Sequence, residues 1–116
     1  MLIISHKSNL KVETLNTGRT RQWLAHKELG AECTALLENY LNPGGFVPLH
    51  YHNTEEVLVC LEGVGKIIVS SELYDFSCSC TVVVPAGLVH EIRNTGKERL
   101  RLLGFFPVAE PQTTWL

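Results

Sequence analysis

No run of apolar residues in this 116-residue chain approaches the length of about 20 that a helix needs to cross a bilayer. The N-terminus, Met-Leu-Ile-Ile-Ser-His-Lys, also lacks the order of a secretory leader, which places basic residues first and a longer apolar stretch after them. A membrane protein is therefore not expected, and the cytoplasm is the expected compartment. An excess of either charge is missing as well: 10 Lys+Arg stand against 12 Asp+Glu, a net charge of −2. With no basic face, neither nucleic acid nor an anionic membrane is an expected partner. No Cys-x-x-Cys pair occurs among the four cysteines, Cys33, Cys60, Cys78 and Cys80, and in a cytoplasmic setting they are expected as reduced thiols. Repeats, low-complexity stretches and linkers are absent too, so residues 1–116 are expected to form a single domain. A domain of this size buries roughly two-thirds of the surface of its unfolded chain, and 45% hydrophobic residues supply a core without crosslinks.

Short β-prone runs punctuated by turn residues dominate what is present. Ile67-Ile68-Val69 and Thr81-Val82-Val83-Val84 are β-branched runs of strand length; residues 57–61 form a third, and residues 100–106 close the series. Between them lie Asn42-Pro43-Gly44-Gly45, Gly63-Val64-Gly65, Pro85-Ala86-Gly87 and Asn94-Thr95-Gly96, all residues suited to turns. Regular alternation of strand and turn predicts an all-β sandwich or barrel. Residues 22–29 and 32–40 have helix-friendly composition. The second stretch runs into a Pro-Gly-Gly turn and is expected as a strand, while the first leaves room for one helical turn.

Two clusters carry the chemistry. In the first, His50 and His52 point to one face of a strand because side chains alternate with period two. If Asn53-Thr54-Glu55 forms a three-residue hairpin loop, Glu56 begins the next strand opposite His52, with Cβ atoms about 4.5–5.5 Å apart. A two-residue loop would turn Glu56 to the other face. The second cluster, residues 85–94, is a turn followed by a strand that supplies His90. Three imidazoles and one carboxylate suit one divalent transition metal (Fe, Mn, Zn, Ni or Co) rather than Ca or Mg. On an octahedral ion, His50, His52, Glu56 and His90 would leave two positions for water, substrate or dioxygen.

Residues 44–63 resemble the first motif of the cupin superfamily, G-x5-H-x-H-x3-E-x6-G, at Gly44, His50, His52, Glu56 and Gly63. Residues 85–94 resemble the second, P-x-G-x2-H-x3-N, at Pro85, Gly87, His90 and Asn94. The Gly that usually opens the second motif is replaced by Ser79, a departure in a turn rather than at a ligand. The resemblance implies a small single-domain cupin, with a double-stranded β-helix (jelly-roll) barrel and a metal near its wider end held by the three His and the Glu. It also implies frequent dimerisation through the first strands. It does not fix a reaction, since cupins include dioxygenases, isomerases, decarboxylases, hydrolases and proteins without catalysis.

The leading expectation is a metal-dependent enzyme whose small-molecule substrate coordinates the ion, of oxygenase, isomerase or decarboxylase type. A non-catalytic module that binds or senses a small ligand or the metal is the alternative. A protein serving a larger enzyme, with a structural ion, is the third. No catalytic acid or base stands out beyond the ligands. Cys60 shares parity with Glu56 and Leu58 and reads as a small buried hydrophobe, while Cys78 and Cys80 receive no role. His6 and His26 have no partner pattern, and Trp23, Phe46, Phe105 and Phe106 read as core or interface aromatics. Tyr51 reads as packing, and Arg99 and Arg101 read as edge-strand charges. Apolar Leu2-Ile3-Ile4 reads as an N-terminal edge strand, which an isologous homodimer would cover.

Overall fold

The computed structural model describes residues 1–116. Its strands are β1 (Glu13–Leu15), β2 (Arg19–Ala25), β3 (Ala35–Leu41), β4 (Phe46–His52), β5 (Glu56–Glu62), β6 (Val64–Val69), β7 (Glu72–Ser77), β8 (Thr81–Val84), β9 (His90–Asn94), β10 (Leu100–Phe106) and β11 (Thr113–Trp115). They form two antiparallel sheets, a six-stranded one ordered β1-β2-β3-β10-β5-β8 and a five-stranded one ordered β11-β4-β9-β6-β7. The sheets face each other as the expected jelly roll. No helix is long and apolar enough to cross a membrane.

Period-two alternation sets which residues meet between the sheets. In β5, Glu56, Leu58 and Cys60 are buried and their neighbours are less so; in β10, Leu100, Leu102, Gly104 and Phe106 are buried. Strand β4 departs from strict alternation. Its register against β9 shifts between Val47 and His50, so odd-numbered Val47 and even-numbered His50 and His52 all turn inward. A bulge of this kind re-aims side chains, and Pro48 inside it has no N–H to leave unpaired. Leu41, Val47, Leu58, Ile67, Phe76 and Ile92 belong to the main core cluster. A smaller cluster of Ala35, Leu37 and Phe106, with Trp23 against it, lies apart, and the site opens between the two.

Several expectations need correction. Asn53-Thr54-Glu55 is the connection between β4 and β5, but those strands lie in different sheets, so it is not a hairpin. Glu56 pairs in register with Val84 of β8 and approaches the His residues across the sandwich. Leu2, Ile3 and Ile4 form no strand and are exposed. A 3-10 turn at Lys7–Asn9 follows them; it lies against β2, where Gln22 Nε2 donates to the carbonyls of Lys7 and Leu10. Arg101 is not on an edge: β10 lies between β3 and β5, and the guanidinium faces Glu38, which Lys7 and Tyr40 also contact. Of the Gly63-Val64-Gly65 turn only Gly63 stays outside a strand. The helix-friendly first stretch is strand to Ala25, then a 3-10 turn at Lys27–Leu29 that His26 Nδ1 caps by accepting from Glu28 N. Residues 32–40 do run into a strand, β3.

Asn94, the last fixed residue of the second motif, is structural. Its Nδ2 donates to the carbonyls of Leu41 (2.9 Å) and Glu98 (2.8 Å), and its Oδ1 accepts from Gly96 N. Asn94→Ala leaves these groups without a partner at a buried position and should cost about 2 kcal/mol or more. Urea unfolding checks this; a midpoint equal to that of the wild type would show that the turn does not depend on this side chain.

Candidate metal centre

Three strands deliver the centre. Strand β4 brings His50 and His52, β9 brings His90 in direct register with His50, and β5 brings Glu56 from the opposite sheet. The potential ligand atoms of His50, His52, Glu56 and His90 all lie within 4.8 Å of one another, and all four residues are buried. The sequence-predicted set is therefore brought together in full.

The imidazoles are fixed from behind. His50 Nδ1 donates to the Pro48 carbonyl (2.6 Å) and His90 Nδ1 to that of Leu88 (2.9 Å). A carbonyl can only accept, so both rings carry their proton on Nδ1 and keep the Nε2 lone pair free. His52 Nδ1 pairs with Thr113 Oγ1 at 2.9 Å. Such outer contacts are what orient metal-binding histidines. The turn before β9 is tied in by Gly87 N donating to the His52 carbonyl at 2.9 Å. Gly87 has φ +80°, a conformation that side-chain-bearing residues rarely adopt.

On the inner side, His52 Nε2 is 3.2 Å and His90 Nε2 is 3.7 Å from Glu56 Oε1. These approaches are not aligned as hydrogen bonds, and both Glu56 Oε1 and His90 Nε2 are buried without a hydrogen-bond partner. Two unpartnered lone-pair donors facing each other are what a bound cation would satisfy, so the residues present fit a metal. Gly104 faces the same carboxylate, and a Cβ there would strike Glu56 Oε2. Burial pushes the Glu56 carboxyl up, but the facing His52 and His90 outweigh it and hold the carboxyl below its ordinary value. Burial, with the neighbouring His90, pushes His50 down to about 4, so its ring is neutral at pH 7.

The site opens into a narrow cleft between β2 and β3 of one sheet and β4 and β11 of the other. Arg19, Arg21, Asn39, Leu58, Ile92 and Trp115 are among its lining residues. Leu58 and Ile92 form apolar walls. Arg19, Arg21, Asn39, Thr113, Trp115 and Gly104 were not foreseen as site residues, although Arg19, Arg21 and Trp23 share one strand parity that points to a common face. Phe106 packs edge-on to His52, with ring centroids 5.0 Å apart. The Cys60 thiol is buried among core residues, as read, but Cys78 Sγ lies 3.8 Å from it.

Acid should destabilise the metal-stripped protein. Unfolded His50 titrates near 6.5 and folded His50 near 4. The unfolded state therefore takes up the proton first, and stability falls as pH drops from 6.5 toward 4, by about 3 kcal/mol in all. The lowered Glu56 carboxyl acts in the same direction at lower pH. Melting temperatures of chelated protein between pH 7 and 4 should fall steeply for the wild type and less for His50→Gln. An equally steep fall in the variant would show that this imidazole is not the source.

Comparison with known proteins agrees with this architecture. A cupin domain family model matches residues 39–106. Auxin-binding protein 1 of Arabidopsis thaliana is 31% identical over 70 residues, which cover 53% of this chain and 35% of that protein. The chain thus matches about a third of the length of that curated relative. The polyketide cyclase RemF of Streptomyces resistomycificus superposes with a TM-score of 0.83 at 21% identity, covering 100% of this chain and 86% of its own. An oxalate decarboxylase of Lactobacillus farciminis, in a formate complex, gives a TM-score of 0.86 at 24% identity over 96% of this chain and 35% of its own. Identities this low establish the shared fold only. With the two facing sheets in place and the family match spanning more than half of its residues, the chain belongs to the cupin domain family.

Proposed function

We propose that His50, His52, Glu56 and His90 hold one divalent transition metal (Fe, Mn, Zn, Ni or Co), and that the chain is an enzyme acting on a small molecule that coordinates it. The observation that carries this reading is the convergence of back-anchored imidazoles on an unpartnered, buried Glu56 oxygen at the base of an open cleft. A bound ion of this class polarises a substrate oxygen as a Lewis acid. The protein's own part is to present neutral nitrogens, to exclude water with Leu58, Ile92 and Phe106, and to admit substrate past Trp115. An oxygenase, isomerase or decarboxylase reaction fits this arrangement, because each can proceed on a substrate held directly at the ion.

Elemental analysis after anaerobic purification without a polyhistidine tag should give about one ion per chain. His52→Ala and His90→Ala should each lose most of it while keeping a β-type circular dichroism spectrum. Gly104→Ala, which crowds the Glu56 carboxylate, should also lower it. Chelation should reduce the melting temperature without unfolding the barrel; an ion at a thousandfold excess over its Kd adds about 4 kcal/mol. Unchanged metal content in His90→Ala would refute the assignment, and complete unfolding on chelation would make the ion structural.

A second reading, a non-catalytic small-ligand module, is favoured by the similarity to auxin-binding protein 1, whose name describes binding rather than turnover. Screening small substrates with each candidate ion separates the two: saturable binding without product under every ion would favour the binding module.

The rest of the reading concerns setting and assembly. Residues 1–116 act as one domain in the cytoplasm, where the four cysteines stay as the free thiols they are here. The domain pairs as a homodimer. Leu2 is 82% and Ile4 72% exposed, an apolar segment that a second copy would cover. Sedimentation at micromolar concentration should find a dimer for the full chain and a shift toward monomer when residues 1–5 are deleted; a monomeric full chain sinks this part of the reading.

A further inference from the structure

Five arginines occur in the chain, and four of them face a carboxylate: Arg21 with Glu13, Arg93 with Glu91, Arg99 with Glu62 and Arg101 with Glu38. Arg19 is the exception. It is only 7% exposed, and its Nε is buried without a hydrogen-bond partner. Its guanidinium carbon lies 5.2 Å from the centroid of Trp115, whose ring in turn lies 5.0 Å from that of His50. Both arginine and tryptophan line the cleft that ends at the four ligand residues. A buried cation with no carboxylate in contact is costly, and burial, with Arg21 nearby, outweighs the more distant Glu13 and brings Arg19 down to about 10, still fully charged at neutral pH. Arg21 Nε is likewise without a hydrogen-bond partner, and beyond the four ligand residues the same cleft holds one unsatisfied group of opposite character, the buried Oδ1 of Asn39, which needs a donor.

We propose that the ligand of this site is a short 2-hydroxy carboxylate, its carboxylate gripped by Arg19 and its hydroxyl donating to Asn39. This deepens the metal reading above and rests on it. Charge points the same way. A divalent ion beside the single Glu56 carboxylate leaves one positive charge, Arg19 adds another, and a cleft so lined concentrates anions. Arginine presents a planar fork that matches a carboxylate. Size sets the limit: the space free in the cleft is small, about 30 Å³, which confines the acid to a few heavy atoms. A neutral diol would leave Arg19 unpaired, and a carboxylate without the hydroxyl would leave Asn39 unpaired.

Both tryptophans of the chain, Trp23 and Trp115, line the cleft, so intrinsic fluorescence reports on its contents. Glycolate, acetate and ethylene glycol should be titrated into metal-loaded and metal-stripped protein, by fluorescence and calorimetry. Glycolate is expected to bind best, acetate more weakly, and ethylene glycol not measurably. Arg19→Gln should weaken glycolate and acetate alike by about tenfold or more, with metal content and circular dichroism unchanged, and Arg19→Lys should restore part of the loss. Asn39→Leu should bring glycolate down to the affinity of acetate and leave acetate unaltered. If Arg19→Gln does not fold, Arg19→Met takes its place, an unbranched apolar chain suited to a buried position. Failure of glycolate to bind the wild type, equal binding in Arg19→Gln, or equal binding of ethylene glycol would each overturn the proposal. Absence of metal uptake would instead overturn the metal reading. In that case the metal-stripped titrations still decide about Arg19, since weak binding of glycolate must disappear in Arg19→Gln.

Discussion

A single carboxylate buried between two sheets organises this molecule. Glu56 enters from β5, yet its partners His50, His52 and His90 stand on the facing sheet, so the site exists only while the sandwich is closed. An isolated carboxylate at such depth is expensive, and its surroundings answer that cost. Gly104 leaves room for the side chain, and two imidazoles approach one of its oxygens. The His50 ring is held neutral by burial, which avoids placing a further positive charge where a cation would bind. Each ring is pinned by its outer nitrogen to something that belongs to the scaffold: Pro48 in the bulge, Leu88 in the turn, Thr113 on the edge strand. The ligand nitrogens therefore need little reordering to meet an ion, the condition under which binding wastes least free energy on ordering side chains.

The ligand set was legible because its spacing is local. His50 and His52 share a face by parity, and Glu56 and His90 complete motifs whose fixed positions can be counted along the chain. How those residues meet was not legible in the same way. A three-residue connection fits a hairpin as well as a crossing between sheets, and only the pairing of Glu56 with Val84 decides between them. The β-branched strands β6 and β8 and the apolar β5 and β10 could be read directly, because each buries one face in apolar surroundings. Strand β2 could not. Arg19, Arg21 and Trp23 turn inward and line the cleft, so the strand shows no purely apolar face and its composition passes for a loop or a helical turn. The same reversal hid Arg19 as a site residue: charge suggests the surface unless something buried requires it. Strand β11 carries no readable signal at all, since Thr113, Thr114 and Trp115 are exposed and are ordered by pairing with β4.

The two sheets divide the chemistry between them. The six-stranded sheet supplies the groups with fixed charge or an amide, namely Glu56, Arg19, Arg21 and Asn39; the five-stranded sheet supplies imidazoles and the Trp115 ring. A small molecule that touched both Arg19 and an ion held by the four residues would tie the sheets together beside the small cluster of Ala35, Leu37 and Phe106. Strand β11 sits at that mouth with three residues and one neighbouring strand. Trp115 lies against His50 and Arg19 there, while Thr113 pairs with the outer nitrogen of His52. Short edge elements with few buried contacts are the least stable parts of a fold. The strand at the mouth of the cleft is thus also the one that orients His52, so the pairing of β11 with β4 and the aim of that imidazole depend on each other.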